Sequence, residues 1–379
     1  MNFFSSAADS LARFTTSRYD LHIATANASH PGDLVTPRIR WADCIPIALV
    51  HLVPFLAFLT GVPWWNWVLM GALYVVRMFF ITAGYHRYFA HRSFRTSRVM
   101  QFIFAFGGGT AVQKGPLWWA GNHRMHHRYA DTDRDAHSPI KGFWWSHIGW
   151  IISDAHTSVP ANSIDDFEKF PELRFLNKHD WIPPWSLAIA CALIGGWSAL
   201  LIGFFLSTVL LWHGTFLVNS VAHVIGTRRY VTTDTSRNNV VVALFTGGEG
   251  WHNNHHHLPN SARQGFFWWE VDTTYYVLRA MAAVRLVSDL KTPTAEQLRN
   301  SRVRDGNLDV GMLKEYVRLA GTVVATSRVA DVDLADTQLD EAKTALETAL
   351  AEATSAGADV NKLDRQRRRN TSSKSSATH

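Results

Sequence analysis

Long apolar runs alternate along this chain with short polar segments rich in histidine, and the lengths of the apolar runs predict its elements. Residues 44–63 (CIPIALVHLVPFLAFLTGVP) and 64–83 (WWNWVLMGALYVVRMFFITA) are each long enough, at about 1.5 Å per residue, to cross roughly 30 Å of hydrocarbon. Together they predict one transmembrane hairpin. Residues 182–222 contain no Asp, Glu, Lys or Arg, a stretch too long for one crossing and suited to two. Gly195-Gly196 is the candidate bend, although it leaves the first crossing short. The expected fold is all-α, with four transmembrane helices in two hairpins and a cytoplasmic helical cap. Residues 99–112 are too short to cross and predict an interfacial or re-entrant helix. An aromatic patch follows at 143–150.

Charge orients these spans. Arg38 and Arg40 precede the first, and Arg87, Arg92, Arg95 and Arg98 follow the second, whereas the connection at 61–63 has no basic residue. Both termini and the polar segments between hairpins are therefore expected in the cytoplasm. Arg77, inside the second span, reads as a side chain snorkelling to the cytoplasmic interface, the alternative being a functional charge beside the active cavity. Only 18% of the 379 residues are charged and 47% are hydrophobic, which argues against disorder. The two cysteines, Cys44 and Cys191, lie in apolar stretches and provide neither a disulfide framework nor a cysteine metal cluster. The net charge of +6 fits an anionic membrane face, and no nucleic-acid partner is expected. Residues 1–40 lack the apolar core of a secretory signal and read as a cytoplasmic segment. Residues 41–290 form the membrane-embedded part. In residues 291–379, Leu339, Ala342, Leu346, Ala349 and Ala353 predict a helix with one apolar seam. A disordered tail carrying Arg365, Arg367, Arg368 and Arg369 follows.

The 19 histidines are clustered. His86 and His91 lie in HRYFAH, His123, His126 and His127 in HRMHH, Asn219 and His223 in NSVAH, and His252, His255 and His256 in HNNHH. Helical positions i, i+3 and i+4 share a face, so the HxxHH spacing aims three imidazoles at one point. His86 and His91 would sit roughly 140° apart on an ideal helix, so a helix end or distortion is expected near Arg87 to Ala90. Many imidazoles gathered at the mouth of a membrane bundle leave polar nitrogens unsatisfied or, if protonated, repelling; a cation removes both costs. Nine exceed the three or four ligands usual for one tetrahedral zinc, which indicates two metals. Imidazole suits Zn, Cu, Fe and Ni alike, so ligand type leaves the element open.

The order HRYFAH, HRMHH, NSVAH, GEGWHNNHH, with apolar hairpins between the motifs, resembles the integral-membrane fatty acyl desaturases of the stearoyl-CoA desaturase type over about residues 45–289. The resemblance implies a cytoplasmic di-iron centre in a catalytic domain at 41–290. Its ligands fall on His86, His91, His123, His126, His127, His223, His252, His255 and His256, with Asn219 reaching an iron through water. His257 is not required by the motif. His137 and His147 are expected as supporting groups, and Asp131, Asp135 and Glu249 as carboxylates that orient ligand rings.

Such a centre implies an oxidoreductase that consumes one O2 and two electrons, places a cis double bond, expected at carbon nine, in a saturated acyl chain, and releases two waters. The acyl headgroup would be held at the cytoplasmic surface and the tail threaded past the irons into an apolar tunnel. Met70 and Tyr74, four apart on one helix face, are candidates for its end. Acyl-CoA is the expected carrier and a membrane phospholipid the alternative. Gly121-Asn122 stands where the animal enzymes have Arg-Asp, which leaves Asn122 and Lys114 as candidate headgroup contacts, with Arg128, Arg134 and Lys141 as further basic groups. The implied electron donor is a separate ferredoxin, or cytochrome b5 with its reductase. His30-Pro31-Gly32 has no room around it for a haem domain, and Gly107-Gly108-Gly109 reads as close helix packing. A related di-iron hydroxylase and a non-catalytic metal-binding membrane protein are the competing readings.

Overall fold

The computed structural model describes residues 38–59, 61–154, 163–299 and 302. The expected C-terminal helix and basic tail, and His30-Pro31-Gly32, lie outside them. Helix α1 (Trp41–Leu52) continues as a tighter 3-10 stretch, Val53–Leu59. Helix α2 (Trp64–Phe79) continues as a π-helix, Phe80–Ala90. Helices α3 (Arg98–Gly109) and α4 (Pro116–Tyr129) follow, then the π-turn α5 (Trp145–Gly149) and helix α6 (Pro171–Lys178). Helix α7 (Ile182–Ser198) leads through a π-helical stretch, Ala199–Leu206, into α8 (Ser207–Asn219) and the single turn α9 (Val221–Val224). The described chain ends with α10 (Val240–Phe245), α11 (His252–His257) and α12 (Thr273–Ala283).

Three of these continuous segments are long and apolar enough to cross a membrane: Trp41–Leu59, Trp64–Ala90 and Ile182–Val224. Trp41 and Phe58 are 78% and 85% exposed, as side chains facing lipid would be. The third segment is not straight. At Gly195 (φ −140°, ψ 18°) and Gly196 (φ 64°, ψ −156°) the backbone leaves the helix, and Gly196 takes the positive φ that glycine tolerates. A Cβ on Gly203 would lie 3.9 Å from Cys191 Sγ, whereas the same separation along a straight helix is about 18 Å. The chain therefore doubles back at the expected bend.

Arg77 does not snorkel. It is 1% exposed and donates to Thr110 O at 3.2 Å, Thr208 Oγ1 at 2.8 Å and Ser207 Oγ, with its guanidinium over the Phe204 ring. Two hydroxyls on α8 and a free carbonyl at the end of α3 satisfy the cation inside the bundle, so it need not reach for the interface. The glycine triplet on α3 packs as expected: a Cβ on Gly107 would stand 2.5 Å from the Phe80 ring, and one on Gly109 2.8 Å from Pro183 Cγ. The only regular strands among the described residues, β1 (Arg95–Thr96) and β2 (Val287–Ser288), pair antiparallel. They tie the chain just past His91 to the chain just past α12.

Candidate metal centre

The local backbone of each motif explains how its rings converge. In the π-helical end of α2 the amide of His91 donates to His86 O at 3.1 Å, an i+5 bond that wide helical turns permit. That widening is the distortion the i, i+5 histidine spacing requires, and it begins earlier than expected, at Phe80. On α4 the HRMHH spacing puts His123 and His127 on one side and His126 on another. Helix α8 ends at Asn219, and Ser220 (φ −102°, ψ −69°) breaks it so that His223 turns inward on α9. Helix α11 carries His252, His255 and His256.

Nine rings from four segments form two groups. In the first, His86, His91, His123, His127 and His255 bring one ring nitrogen each within 4.8 Å of one another; in the second, His126, His223, His252 and His256 do the same. Within the first, Nε2 atoms stand 3.0 Å apart for His86 and His255, 2.9 Å for His91 and His123, 3.0 Å for His123 and His127, and 2.8 Å for His127 and His255. Within the second, the spacings are 3.0 Å for His223 and His252, 3.1 Å for His252 and His256, and 3.3 Å for His126 and His256. Neutral imidazole lone pairs facing each other at this range repel unless a cation lies between them, so the residues present fit two metal ions. Asn219 is half-buried at the end of α8.

The outward nitrogens set the tautomers. His86 Nδ1 lies 2.5 Å from Glu249 Oε2, and His126 Nδ1 donates to Asp135 at 2.9 Å, His223 Nδ1 to Asp131 Oδ2 at 3.3 Å and His256 Nδ1 to Asp234 at 2.7 Å. A proton held at Nδ1 leaves the Nε2 lone pair free to face a metal. Burial alone would raise the Glu249 carboxyl, but His86 and Arg87 outweigh it and hold it at about 2. Asp131 stands likewise at about 2, where His223 and Thr235 overcome burial. Burial and the surrounding rings push His91, His123, His127, His252 and His255 well below the ordinary imidazole value, so each is neutral and free to ligate.

The structure thus places Asp131, Asp135 and Glu249 against rings of the two histidine groups. It adds two partners that no motif spacing signals: Asp234 on His256, and Gln264, whose amide lies 3.3 Å from His255 Nδ1. Arg87, fully buried, ties Glu249 at 2.9 Å to Asp272 at 2.9 Å. His137 stands 3.7 Å from Asp135, and His147 meets Ser220 and His213 instead of a metal group. His257 stacks on Tyr230 outside both groups. Of the candidate substrate contacts, Met70 packs against Ala57, Leu201 and Ile202, and Tyr74 Oη donates to Phe245 O at 2.8 Å. Asn122 donates back to Trp118 O at 2.9 Å, and Lys114 Nζ lies 4.0 Å from Asp180.

A membrane-associated helical chain with two histidine cages is a recognisable class, and comparison with known proteins identifies it. The fatty acid desaturase family model matches residues 62–288. The chain belongs to that family, and so to the oxidoreductases acting on fatty acids. It is 38% identical to an sn-1 stearoyl-lipid 9-desaturase of Anabaena variabilis, over 69% of this chain and 97% of the relative. It is also 38% identical to an sn-1 stearoyl-lipid 9-desaturase of Synechocystis, over 76% and 91%. A chloroplastic palmitoyl-monogalactosyldiacylglycerol delta-7 desaturase of Arabidopsis thaliana is 38% identical over 61% of this chain, which spans 64% of that relative's length.

Proposed function

We propose that this protein places a cis double bond at carbon nine of a saturated acyl chain, using one O2 and two electrons from a separate ferredoxin or cytochrome b5. The observation that carries the reading is the convergence of nine histidine Nε2 atoms into a group of five and a group of four. Imidazole cages of this kind suit iron, and two bound irons would supply the oxygen activation that no side-chain acid or base can perform on a methylene. His86, His91, His123, His127 and His255 would hold one ion. His126, His223, His252 and His256 would hold the other, with Asn219 acting through a water. The carboxylates at Nδ1 keep the rings in the ligating tautomer.

The carrier we favour is a membrane glycerolipid. Asn122 spends its amide on its own helix, and Lys114 faces Asp180, so neither is arranged as a strong clamp for the phosphates of CoA. Three relatives matched over 97%, 91% and 90% of their own length bear acyl-lipid names. Acyl-CoA is the second reading, favoured by an icosanoyl-CoA 5-desaturase of Limnanthes douglasii at 37% identity over 66% of this chain. In the membrane, we read residues 41–290 as crossing four times in two hairpins, the reversal at Gly195-Gly196 separating the last two crossings. Both termini and the metal centre would lie on the cytoplasmic side. The tail would thread past the metals toward Tyr74 and Met70.

Expression in a host lacking unsaturated fatty acids, followed by double-bond mapping of each lipid class, tests the reading. Carbon-nine unsaturation on glycerolipids, absent with His127→Ala, supports it. Hydroxylated product, or saturated lipids only, overturns it.

A further inference from the structure

Helix α10 reads VVVALF and has no polar residue from its first position to its last. Val242 and Ala243 face the protein and are buried, whereas Val240, Val241, Leu244 and Phe245 point outward and are 53–61% exposed. The patch reaches Ile225, also exposed, whose carbonyl accepts from Asn239 Nδ2 at 3.1 Å. A helix that is apolar all round calls for apolar surroundings on both faces, and a contiguous apolar patch marks a surface that something covers.

What covers it follows from where α10 sits. Tyr74 Oη on α2 donates to Phe245 O at 2.8 Å. Tyr74 lies ten residues beyond Trp64 in the membrane-length segment Trp64–Ala90, which is about 15 Å along a helix, half of a hydrocarbon core roughly 30 Å thick. Helical side chains lean toward the helix N-terminus, which here is the end away from His86. Phe245 therefore stands beside the middle of a helix long enough to cross the bilayer, where an exposed side chain meets hydrocarbon. The ends of α10 are closed by protein groups, as hydrocarbon demands. Asn239 Oδ1 accepts from the amide of Val242 at 3.1 Å. Val242 O accepts from the amide of Thr246 at 2.9 Å and from its hydroxyl at 2.6 Å, and Ala243 O accepts from the amide of Gly248 at 2.8 Å.

We propose that α10 is inserted in the leaflet on the side of the metal centre, with Val240, Val241, Leu244 and Phe245 against the acyl chains of bilayer lipids. This is a membrane contact outside the four crossings, made by the segment that leads into the last histidine box, and it rests on the reading of α2 as a crossing helix. The face continues the lipid-facing surface of that helix, so any protein seated on it would itself have to lie in the bilayer. The inner face of α10 ties the contact to the metal site. Gly250 packs backbone to backbone on Ala243, where a Cβ would have no room, and its carbonyl accepts from the amide of Asn239 at 2.7 Å. Gly250 follows Glu249 and stands two residues before His252. Lipid against the outer face of α10 thus steadies the stretch that places both.

Two measurements on the full chain in phosphatidylcholine nanodiscs test this, and neither needs turnover, so each can fail while the desaturase reading stands. In the first, phosphatidylcholine carrying a diazirine midway along one acyl chain is activated by light and the labelled peptides are mapped by mass spectrometry. Val240–Phe245 should be labelled as strongly as Val53–Leu59 in the first crossing, and at least about tenfold more than the exposed loop at 132–134, which lies outside the hydrocarbon. Label on Val53–Leu59 with none on Val240–Phe245 means that protein covers α10 and overturns the inference alone. Label on neither overturns the crossing together with the inference. In the second, a nitroxide is attached to Leu244→Cys in a chain carrying Cys44→Ser and Cys191→Ser. Oxygen, which concentrates in hydrocarbon, should relax the nitroxide more than a water-soluble nickel chelate does. The reverse order places Leu244 in water and overturns the inference as well.

Discussion

Asp234 Oδ2 accepts a 2.7 Å hydrogen bond from His256 Nδ1, joining a loop with no recognisable motif to the last histidine box. With it, the group of four histidines has three carboxylates behind it, Asp131, Asp135 and Asp234. Among the described residues the group of five has only Glu249, whose charge Arg87 shares. The two cages therefore differ in the negative charge that raises ligand basicity. Asp234→Asn should weaken the four-histidine site about 10–100-fold, the usual cost of losing such a partner. Elemental analysis after dialysis against a mild chelator should then fall from two metals per chain toward one. Two metals retained would show that Asp234 is not needed to hold the ion.

Arg87 answers a different question, because its hydrogen bonds go to carboxylates and a carbonyl and none to the imidazoles of either group. Its guanidinium is the cation between Glu249 and Asp272, and it also donates to Ala262 O at 2.7 Å. Arg87→Gln leaves two buried carboxylates without their cation, a change that costs about 3–5 kcal/mol. The thermal midpoint in detergent should drop well below that of Asp234→Asn. An equal midpoint for the two variants would mean that the Arg87 network does not hold the fold.

Much of this architecture is legible in the sequence, for particular reasons. The bend at Gly195-Gly196 is readable because an apolar stretch twice the required length must turn somewhere, and glycine tolerates the positive φ. The π-helical end of α2 is readable because His86 and His91 cannot share a face at i+5 otherwise. The grouping of the nine histidines is readable because helical spacing is local. Asp234 and Gln264 are not readable, since each contact joins residues with no periodic relation. Arg77 misleads for a related reason: its partners Ser207 and Thr208 lie on another helix, and a single span offers no hint of them.

Asp180 supplies a pH test away from the metals. Burial, opposed only in part by Lys114, raises its carboxyl from 3.8 to about 6. The folded protein thus binds this proton more tightly than the unfolded chain. The resulting stability is fully present below about 4 and is lost as pH rises through about 6. The loss is about 3 kcal/mol for a shift of this size. Asp180→Asn should therefore match the parent near pH 4 and exceed it in thermal midpoint above pH 6.5. A constant difference between the two curves across this range would contradict the buried, reluctant charge.

Tyr74 offers a test of how chain length is measured. Its hydroxyl is anchored to Phe245 O, and a Cβ on Gly214 would stand 2.9 Å from that oxygen and 3.0 Å from Met78 Cε, so the ring is clamped between α2, α8 and α10. A clamped ring can stop an acyl tail where a loose one would yield. If the tail ends against it, Tyr74→Ala opens apolar space that a longer chain can fill. Each added methylene buried there contributes about 0.8 kcal/mol, or about fourfold in kcat/KM per carbon. The double-bond position counted from the carboxyl end should stay fixed, because the headgroup and metals do not move, while the preferred substrate lengthens. Profiling products from mixed-length acyl lipids checks both halves. An unchanged length preference at normal metal content would mean that Tyr74 packs the bundle and the tail ends elsewhere.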